Sequence, residues 1–297
     1  YGEIVNAIIR PPRAQYTDAD LGPSEFTFGG RAFVRTDLEL VNPRGLKVVA
    51  SHWHPADSDR PAPLLPCVIY LHGNSSCRVA CMENLEVVLS LGITMFAIDF
   101  AGSGRSGGDW VTLGEFEKDD VAAVVEHLRS AGRTSTIALW GRSMGAATAL
   151  LHSHRDPSMA AIILDSPFAD LRQLANEMVE MGKEHTGYRV PGLVIKAAIK
   201  MVQQSVLKKA DMDINKLKPI QDVDKAFVPA LFCHASGDNF IKVHHSRQIY
   251  ERYASDNKNL VIVDGDHNSA RPPFFQHSAG IFLRTAMMVP DDIVLPG

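Results

Sequence analysis

The sequence predicts an α/β fold in which a mostly parallel, twisted sheet carries helices on both faces. Short apolar runs alternate with helical patterns along most of the chain, and this alternation is typical of parallel strands connected by helices. The 297 residues are 45% hydrophobic and 22% charged, a composition that excludes disordered, collagen-like and coiled-coil proteins. A chain of this length can bury a large core, so we expect one domain over residues 1–297.

The first strands are predicted to be antiparallel, and the next four to be buried and parallel. Residues 25–54 have the pattern of two or three strands around the turn "NPRG". Apolar runs predict buried strands at Pro66–Gly73, Ile93–Phe100, Ser135–Gly141 and Met159–Asp165. Three helical patterns separate these runs, namely "CRVACMENLEVVLSLG", "LGEFEKDDVAAVVEHLRSAG" and "MGAATALLHSH". A helix between successive strands allows those strands to run parallel.

The alternation then stops and resumes, which indicates an insertion within the domain. Residues 168–227 carry helical patterns without a clear strand. A strand at Val228–Ser236, a helix around His245–Tyr253, a strand at Asn259–Gly265 and a helix after Pro273 follow. An inserted helical segment before the last strands of an α/β enzyme commonly covers the active site. We therefore expect residues 168–227 to form a helical lid.

The strongest chemical signal is a G-x-S-x-G pattern at Gly141, Ser143 and Gly145, within "ALWGRSMGAATALL". A predicted strand precedes it and a helix of small residues follows, so the serine would be exposed on a sharp turn at the sheet edge. Ser106 in "GRSGG" matches the same pattern but lies in a glycine-rich loop without those neighbours. We interpret that loop as a flexible turn and Ser143 as the candidate nucleophile.

A serine hydroxyl needs a base, and the base needs an acid that fixes its tautomer. Asp238 follows one late strand and His267 follows the next, so both should lie at the sheet edge that carries Ser143. Asp165 also ends a strand and is an alternative acid. Asp266 is a poor alternative because the side chains of consecutive residues usually diverge. The sequence thus predicts a triad of Ser143, Asp238 and His267.

Such a triad also needs donors for the oxyanion of the transition state. The backbone N–H of Met144, directly after the nucleophile, is the first expected donor. The second should come from the loop after "VIYLHG", where Asn74 is the first choice and Ser75 the second. We expect His72 in that loop to have a structural role.

No cofactor and no metal site are predicted. Adjacent or nearby histidines occur as the pairs His52/His54, His152/His154 and His244/His245. Each pair lacks a third ligand at a metal-binding spacing. Four cysteines are too few for a disulfide scaffold, and we expect free buried thiols in a cytoplasmic protein: Cys67, Cys77, Cys81 and Cys233.

Charge and hydropathy limit the partners of the protein. The net charge is −4, so no basic excess favours nucleic acid. No apolar run reaches the roughly 18 residues of a membrane span. The chain begins at Tyr1, and a preceding targeting segment stays an open question.

The segment Val190–Ala210 has the pattern of an amphipathic helix. One arc is apolar and contains Val194, Ile195, Ala198, Met201, Val202 and Val206. The opposite arc contains Lys196, Lys200, Gln203 and Gln204. Such a helix either packs on the domain with its lysines in solvent, or acts as a lid that contacts an acyl chain and an anionic surface. In the second interpretation Val194, Met201 and Val202 are candidate substrate-binding residues and the protein contacts membranes peripherally.

Six segments together resemble a known superfamily. They are "YLHGNSSCR", "DFAGSGRSGG", "LWGRSMGAATAL", "ILDSPF", "GDNFI" and "GDHNSARP". They look like the α/β-hydrolase superfamily, and more narrowly like serine hydrolases of the BEM46-like/ABHD17-like group, with its uncharacterised plant and protist members. The resemblance covers residues 25–287. It implies an α/β-hydrolase fold and an esterase, lipase or thioesterase, and it assigns the triad to Ser143, Asp238 and His267.

The predicted function is therefore a serine hydrolase that cleaves short-to-medium acyl esters of small molecules or lipids through an acyl-enzyme. Two alternatives within enzymes are a protein S-depalmitoylase and a lysophospholipase-like lipase. A catalytically silent ligand-binding scaffold is the alternative from another class. The leaving group, the acyl length, the ester or thioester preference and the oligomeric state stay open.

Overall fold

The computed structural model describes residues 2–186 and 192–295 of the chain, with side chains for 2–182 and 194–295. The strands are β1 (Glu25–Phe28), β2 (Arg31–Val41), β3 (Lys47–Pro55), β4 (Leu65–Leu71), β5 (Thr94–Ile98), β6 (Thr134–Arg142), β7 (Ala161–Asp165), β8 (Ala230–Ala235) and β9 (Lys258–Val263). The helices are α1 (Gly2–Ile9), α2 (Met82–Ser90), α3 (Glu117–Ala131), α4 (Met144–Arg155), α5 (Leu171–Thr186), α6 (Gly192–Ala210), α7 (His244–Arg252) and α8 (Pro273–Ala286).

The strands form one sheet in the order β1-β2-β3-β5-β4-β6-β7-β8-β9. Strands β1, β2, β3 and β5 pair antiparallel, whereas β5, β4, β6, β7, β8 and β9 pair parallel. The chain leaves β4 toward β5 on one side and later places β6 on the other side. The carboxyl ends of β4 and β6 therefore flank a switch point, where α/β proteins commonly bind ligands.

Alternate residues of the central strands point into two separate cores, as strand geometry requires. On one face, Ile69 and Leu139 pack in a cluster with residues of α3, α4 and α7. On the other face, Val68 and Trp140 pack in a cluster with residues of α2 and α8. Because both faces are covered, strand β4 is buried along its whole length. The predicted α/β architecture is confirmed.

A third cluster joins the segment between β7 and β8 to the rest of the sheet. It contains Val206 and Ala210 of α6, Ala147 of α4, Ile9 of α1 and Ile241, which follows β8. Among the described residues between β7 and β8 there are two long helices and no strand. Helix α1 was not predicted, because eight residues give too short a periodic pattern.

The structure corrects the packing face predicted for the amphipathic helix. The buried and half-buried apolar positions of α6 are Ile195, Ile199, Val202, Val206 and Ala210, which follow helical spacing. By contrast, Val194 is 56% exposed and Met201 is 53% exposed. The inward face is thus rotated from the predicted arc, because packing against α1 and within the third cluster selects it rather than apolar content alone. Val190, the predicted start of this helix, lies outside the described residues.

Candidate active site

Ser143 lies on the sharp turn between β6 and α4. Its backbone has φ 54° and ψ −117°, a strained conformation for a residue with a side chain. A side chain at Gly141 would overlap the Gly145 carbonyl, and one at Gly145 would overlap the Leu71 carbonyl. The two glycines therefore allow strand, turn and helix to approach closely. The backbone N–H of Ser143 donates to the Asp165 carbonyl at 2.7 Å, which fixes the turn to β7.

The three residues of the predicted triad are connected by two hydrogen bonds, with His267 in the middle. Ser143 Oγ is 3.1 Å from His267 Nε2, and His267 Nδ1 is 2.6 Å from Asp238 Oδ2. A carboxylate only accepts, so the imidazole donates from Nδ1 to Asp238. In the neutral ring Nε2 is then free to accept the Ser143 hydroxyl proton. This arrangement can make the hydroxyl a nucleophile.

Asp238 is held as a carboxylate by several donors. Its Oδ1 accepts the backbone N–H groups of Phe240 at 3.0 Å and Ile241 at 2.8 Å. Burial alone would raise the pKa of Asp238, but hydrogen bonds from His234, His267 and Ile241 hold that pKa well below its usual range. The candidate acid is therefore ionised at any pH at which such an enzyme works.

His234, in β8, is a buried neighbour of the acid that the sequence reasoning missed. Its Nε2 is 2.6 Å from the Ile241 carbonyl oxygen and 3.4 Å from Asp238 Oδ2. A carbonyl only accepts, so Nε2 carries the proton and Nδ1 accepts the Ser246 hydroxyl at 2.7 Å. His234 thus ties the Asp238 loop to α7. Its position four residues before Asp238 is the only sequence signal that could have suggested it.

Asp165, the alternative acid, is engaged elsewhere. Its carboxylate accepts from Arg271 Nε at 2.9 Å and from Arg271 Nη2 at 2.8 Å, and both side chains are buried. Arg271 also donates to the Ser269 carbonyl, which belongs to the loop that carries His267. Asp165 therefore has a structural role beneath that loop.

Arg142 supports the same loop from the strand that carries the nucleophile. Its Nη2 donates to the His267 carbonyl at 3.0 Å and to the Ser269 carbonyl at 2.8 Å. Asp266, the other rejected acid, accepts the N–H groups of Asn268 and Ser269 within its own turn. The sequence did not reveal the role of Arg142, because its partners lie more than a hundred residues away along the chain.

Ser106, in the second G-x-S-x-G match, is buried and structural. Its hydroxyl donates to the Asp99 carbonyl at 2.5 Å and accepts the Val49 N–H at 2.8 Å. The second hydrogen bond joins the glycine-rich loop to β3, and the first joins it to the residue that follows β5. The interpretation of this segment as a turn agrees with the geometry.

The loop after β4 borders the candidate nucleophile. A Cβ placed on Gly73 would lie 3.5 Å from Ser143 Cβ. Asn74 Oδ1 accepts the Ser75 N–H at 3.1 Å, so this side chain stabilises its own loop. His72 is buried, donates to the Gly73 carbonyl and accepts the Phe100 N–H, as expected of a structural residue. Any second oxyanion donor from Asn74 would be its backbone N–H.

Phe240 covers one side of the candidate base. Its ring centroid is 5.1 Å from that of His267, and the side chain is 44% exposed. An exposed aromatic ring beside the base offers apolar contact to a substrate. The sequence pattern gave no signal for it beyond its place two residues after Asp238.

One cluster among the described residues could hold a metal ion, and it adds to His244 and His245 a third group that lies far from them in the sequence. Glu177 of α5 lies 2.9 Å from His244 Nε2 and 3.2 Å from His245 Nε2. The Ala169 N–H donates to His245 Nδ1, so His245 Nε2 carries the proton and donates to Glu177. A metal-bound histidine instead donates from its second nitrogen. The three side chains therefore hydrogen-bond to one another and join α5 to α7, without a need for a metal ion.

The cysteines and helices add two observations. All four cysteines are buried and free, as the sequence led us to expect. Among the helices of the described residues, none is long and apolar enough to cross a bilayer.

Curated relatives are similar over most of the chain. Protein YqkD of Bacillus subtilis is 27% identical over 219 residues, which cover 72% of this chain and 68% of that protein. Protein YfhR of Escherichia coli K12 is 25% identical over 254 residues, 84% and 78% of the two chains. The lysophosphatidylserine lipase ABHD12 of Rattus norvegicus is 27% identical over 191 residues, 62% and 44% of the two chains.

Solved structures support the fold, and a family model supports the membership. Esterase Pf2001 of Pyrococcus furiosus superposes with a TM-score of 0.69 at 22% identity, covering 93% of this chain and 98% of that one. Acetyl xylan esterase 1 of Thermoanaerobacterium gives 0.65 at 16% identity, covering 87% and 85%. The model Hydrolase_4, described as serine aminopeptidase, S33, matches residues 65–217. Because this match spans just over half of the chain, the protein belongs to the Hydrolase_4 family of the α/β-hydrolase superfamily.

Proposed function

We propose that the protein is a serine hydrolase that cleaves carboxylic esters through an acyl-enzyme. The observation that carries this proposal is the chain of two hydrogen bonds from Asp238 through His267 to Ser143, with Ser143 on the strained turn at the switch point. The similarity to esterases and to a lysophosphatidylserine lipase supports ester cleavage. We also propose that the chain falls within the BEM46-like/ABHD17-like group.

The proposed mechanism follows from the tautomer of His267. Ser143 Oγ attacks the ester carbonyl carbon while His267 Nε2 takes the hydroxyl proton. Asp238 stabilises the imidazolium, and the N–H groups of Met144 and Asn74 donate to the oxyanion. The tetrahedral intermediate collapses, the alcohol leaves with the proton from His267, and the acyl group stays on Ser143. Water then gives a proton to Nε2 while its oxygen attacks the acyl carbon. As the bond to Ser143 Oγ breaks, His267 returns the proton to that oxygen, which releases the carboxylic acid and the free serine.

We propose short-to-medium acyl esters as substrates, with residues 168–227 as the lid of the domain. Phe240 supplies an apolar contact beside the base. Val194, Met201 and Val202 remain candidate substrate contacts. Because Val194 and Met201 are exposed, α6 would have to move for them to reach a bound substrate. A lysophospholipase-like activity is the second candidate, since one relative is named a lysophosphatidylserine lipase.

A fluorophosphonate probe and an ester panel test the proposal. Because triad residues act as a unit, Ser143→Ala should remove labelling and lower kcat by about 10⁴-fold or more. Ser106→Ala is the matched control, in a second G-x-S-x-G motif, and should keep most labelling. The panel should contain alkyl esters, palmitoyl thioesters, lysophospholipids and aminoacyl amides. Full labelling of Ser143→Ala, or turnover of the amides alone, would reject the proposed ester hydrolase.

A further inference from the structure

Helix α6 is strongly cationic although the protein as a whole is not. Its 19 residues include Lys196, Lys200, Lys208 and Lys209 and no acidic residue, whereas the net charge of the chain is −4. Lys208 and Lys209 lie in the last turn, where the helix dipole favours cations. Lys196 and Lys200 lie before the last turn, so the helix dipole does not explain their presence. No described acidic side chain forms an ion pair with any of the four.

The same helix exposes large apolar side chains. Leu207 is 46% exposed, and Val194 and Met201 are more than half exposed. These residues lie opposite the buried ridge of Ile195, Ile199 and Val202, on what we call the outer face of α6. The outer face contains Val194, Lys200, Met201, Gln204, Leu207 and Lys208. Single exposed apolar residues are normal, but three of them interleaved with lysines on one helix face indicate an interaction surface.

Helix α6 lies near the edge of the sheet that carries the candidate site. Val206 and Ala210 of its inward face belong to the hydrophobic cluster that also contains Ala147 and Ile241. Ala147 lies one turn after Ser143 in α4, and Ile241 donates to the acid Asp238. A surface that bound the outer face would therefore lie beside the catalytic edge.

The composition of the outer face selects among possible partners. A second copy of the chain, bound through the same face about a two-fold axis, would bring lysines against lysines. An acidic protein could pair with the lysines but would leave the apolar side chains without a matching surface. An anionic bilayer offers both anionic headgroups and an apolar interior at the depth that an interfacial helix reaches.

We propose that the outer face of α6 docks on anionic lipid bilayers and holds the catalytic edge against the membrane. The lysines contact the headgroups, and Val194, Met201 and Leu207 enter the acyl boundary. The docking does not depend on the proposed chemistry, since it uses no residue of the triad. It does give that chemistry access to esters that reside in a membrane.

Vesicle sedimentation with the full chain tests the docking. Vesicles of about 30% phosphatidylserine in phosphatidylcholine should bind the protein, pure phosphatidylcholine vesicles should bind it far less, and salt should weaken the binding. The variant K200Q/K208Q should lose about 10-fold or more in partitioning, and Leu207→Ser should lose a further several-fold. Ser143→Ala should bind like the unchanged chain, which separates this test from that of the catalytic proposal.

Matched controls lie elsewhere on the surface. K216Q/K225Q removes two exposed lysines outside α6, and Met288→Ser removes an apolar side chain that is 80% exposed. Both control variants should bind vesicles as the unchanged chain does. Every variant, control or test, should keep the thermal unfolding of the unchanged chain. Equal losses in the controls, equal binding to pure phosphatidylcholine, or no binding at all would overturn the proposal. A lipid-independent dimer that Leu207→Ser abolishes would overturn it in favour of self-association.

Discussion

Replacing the buried His234 should weaken the candidate triad without touching any of its members. In His234→Leu, the Ile241 carbonyl and the Ser246 hydroxyl lose their partner, and Asp238 loses its neighbour at 3.4 Å. A hydrogen bond to a charged group contributes about 1.5–3 kcal/mol. Because 3.4 Å is long for such a bond, the lower value applies. At 1.36 kcal/mol per factor of ten, kcat/KM should fall about 10-fold.

The same change should also raise the pKa of Asp238 and lower the stability. Since a hydrogen bond from His234 helps to hold the pKa of Asp238 low, that pKa should rise toward its ordinary value. Titration of the carboxyl group by NMR measures this rise. Two unpaired buried groups should cost about 1–3 kcal/mol each in the free energy of unfolding.

Two further variants distinguish loss of the positioning of Asp238 from a general loss of stability. His234→Gln keeps an N–H that can reach the Ile241 carbonyl and should recover most of kcat/KM. His152→Leu removes another buried histidine, which bonds the Lys118 carbonyl at 3.3 Å on the far side of α4. It should lower the melting temperature and leave kcat/KM unchanged. A folded His234→Leu protein with the unchanged kcat/KM from pH 5 to 8 would refute the reasoning.

Three more outcomes are expected. Asp238→Asn should fold and lose about 10³–10⁴ in rate, whereas Asp165→Asn should cost about 3–5 kcal/mol of stability by leaving Arg271 unpaired; the reverse pattern would reassign the acid. Burial and then Arg155 lower the pKa of His152 from 6.5 to about 4, so the unfolded chain alone binds a proton between these values. Stability should therefore fall by about 3 kcal/mol as the pH drops from 6.5 to 4, and His152→Asn should flatten the unfolding profile; an unchanged profile would contradict this. Over nitrophenyl esters from C2 to C16, each buried CH₂ contributes about 0.8 kcal/mol until the pocket is full. The maximum should lie at about C4–C8, and a maximum at C14–C16 would favour the depalmitoylase alternative.

The fold and the candidate triad could be predicted from the sequence because both depend on local pattern. Apolar runs separated by helical patterns specify buried parallel strands, and residues that follow such strands meet at one edge of the sheet. The positions of Ser143, Asp238 and His267 follow from this rule and from the chemistry that a serine requires. The same rule distinguished Ser143 from Ser106, since only the first stands between a strand and a helix.

The residues that support the triad could not be predicted, because their contacts join distant parts of the chain. Arg142 binds a carbonyl that lies 125 positions away, and Arg271 binds Asp165 across 106 positions. No local pattern encodes such pairs. Phe240 and His234 are close to Asp238 in sequence, but their orientation depends on how the loop after β8 folds. A single sequence therefore reveals the reacting groups more readily than the groups that position them.

Helix α6 shows why composition did not reveal which face of a helix packs. The most apolar arc predicted Val194 and Met201 as inward residues, and packing against α1 and within the third cluster instead selects the ridge through Ile199 and Val206. The helix has more apolar residues than its packing face can bury, so Val194, Met201 and Leu207 are exposed. Three exposed apolar side chains and four lysines on one helix are the physical reason to propose a second surface here, and a bilayer is the partner that would use both kinds of side chain.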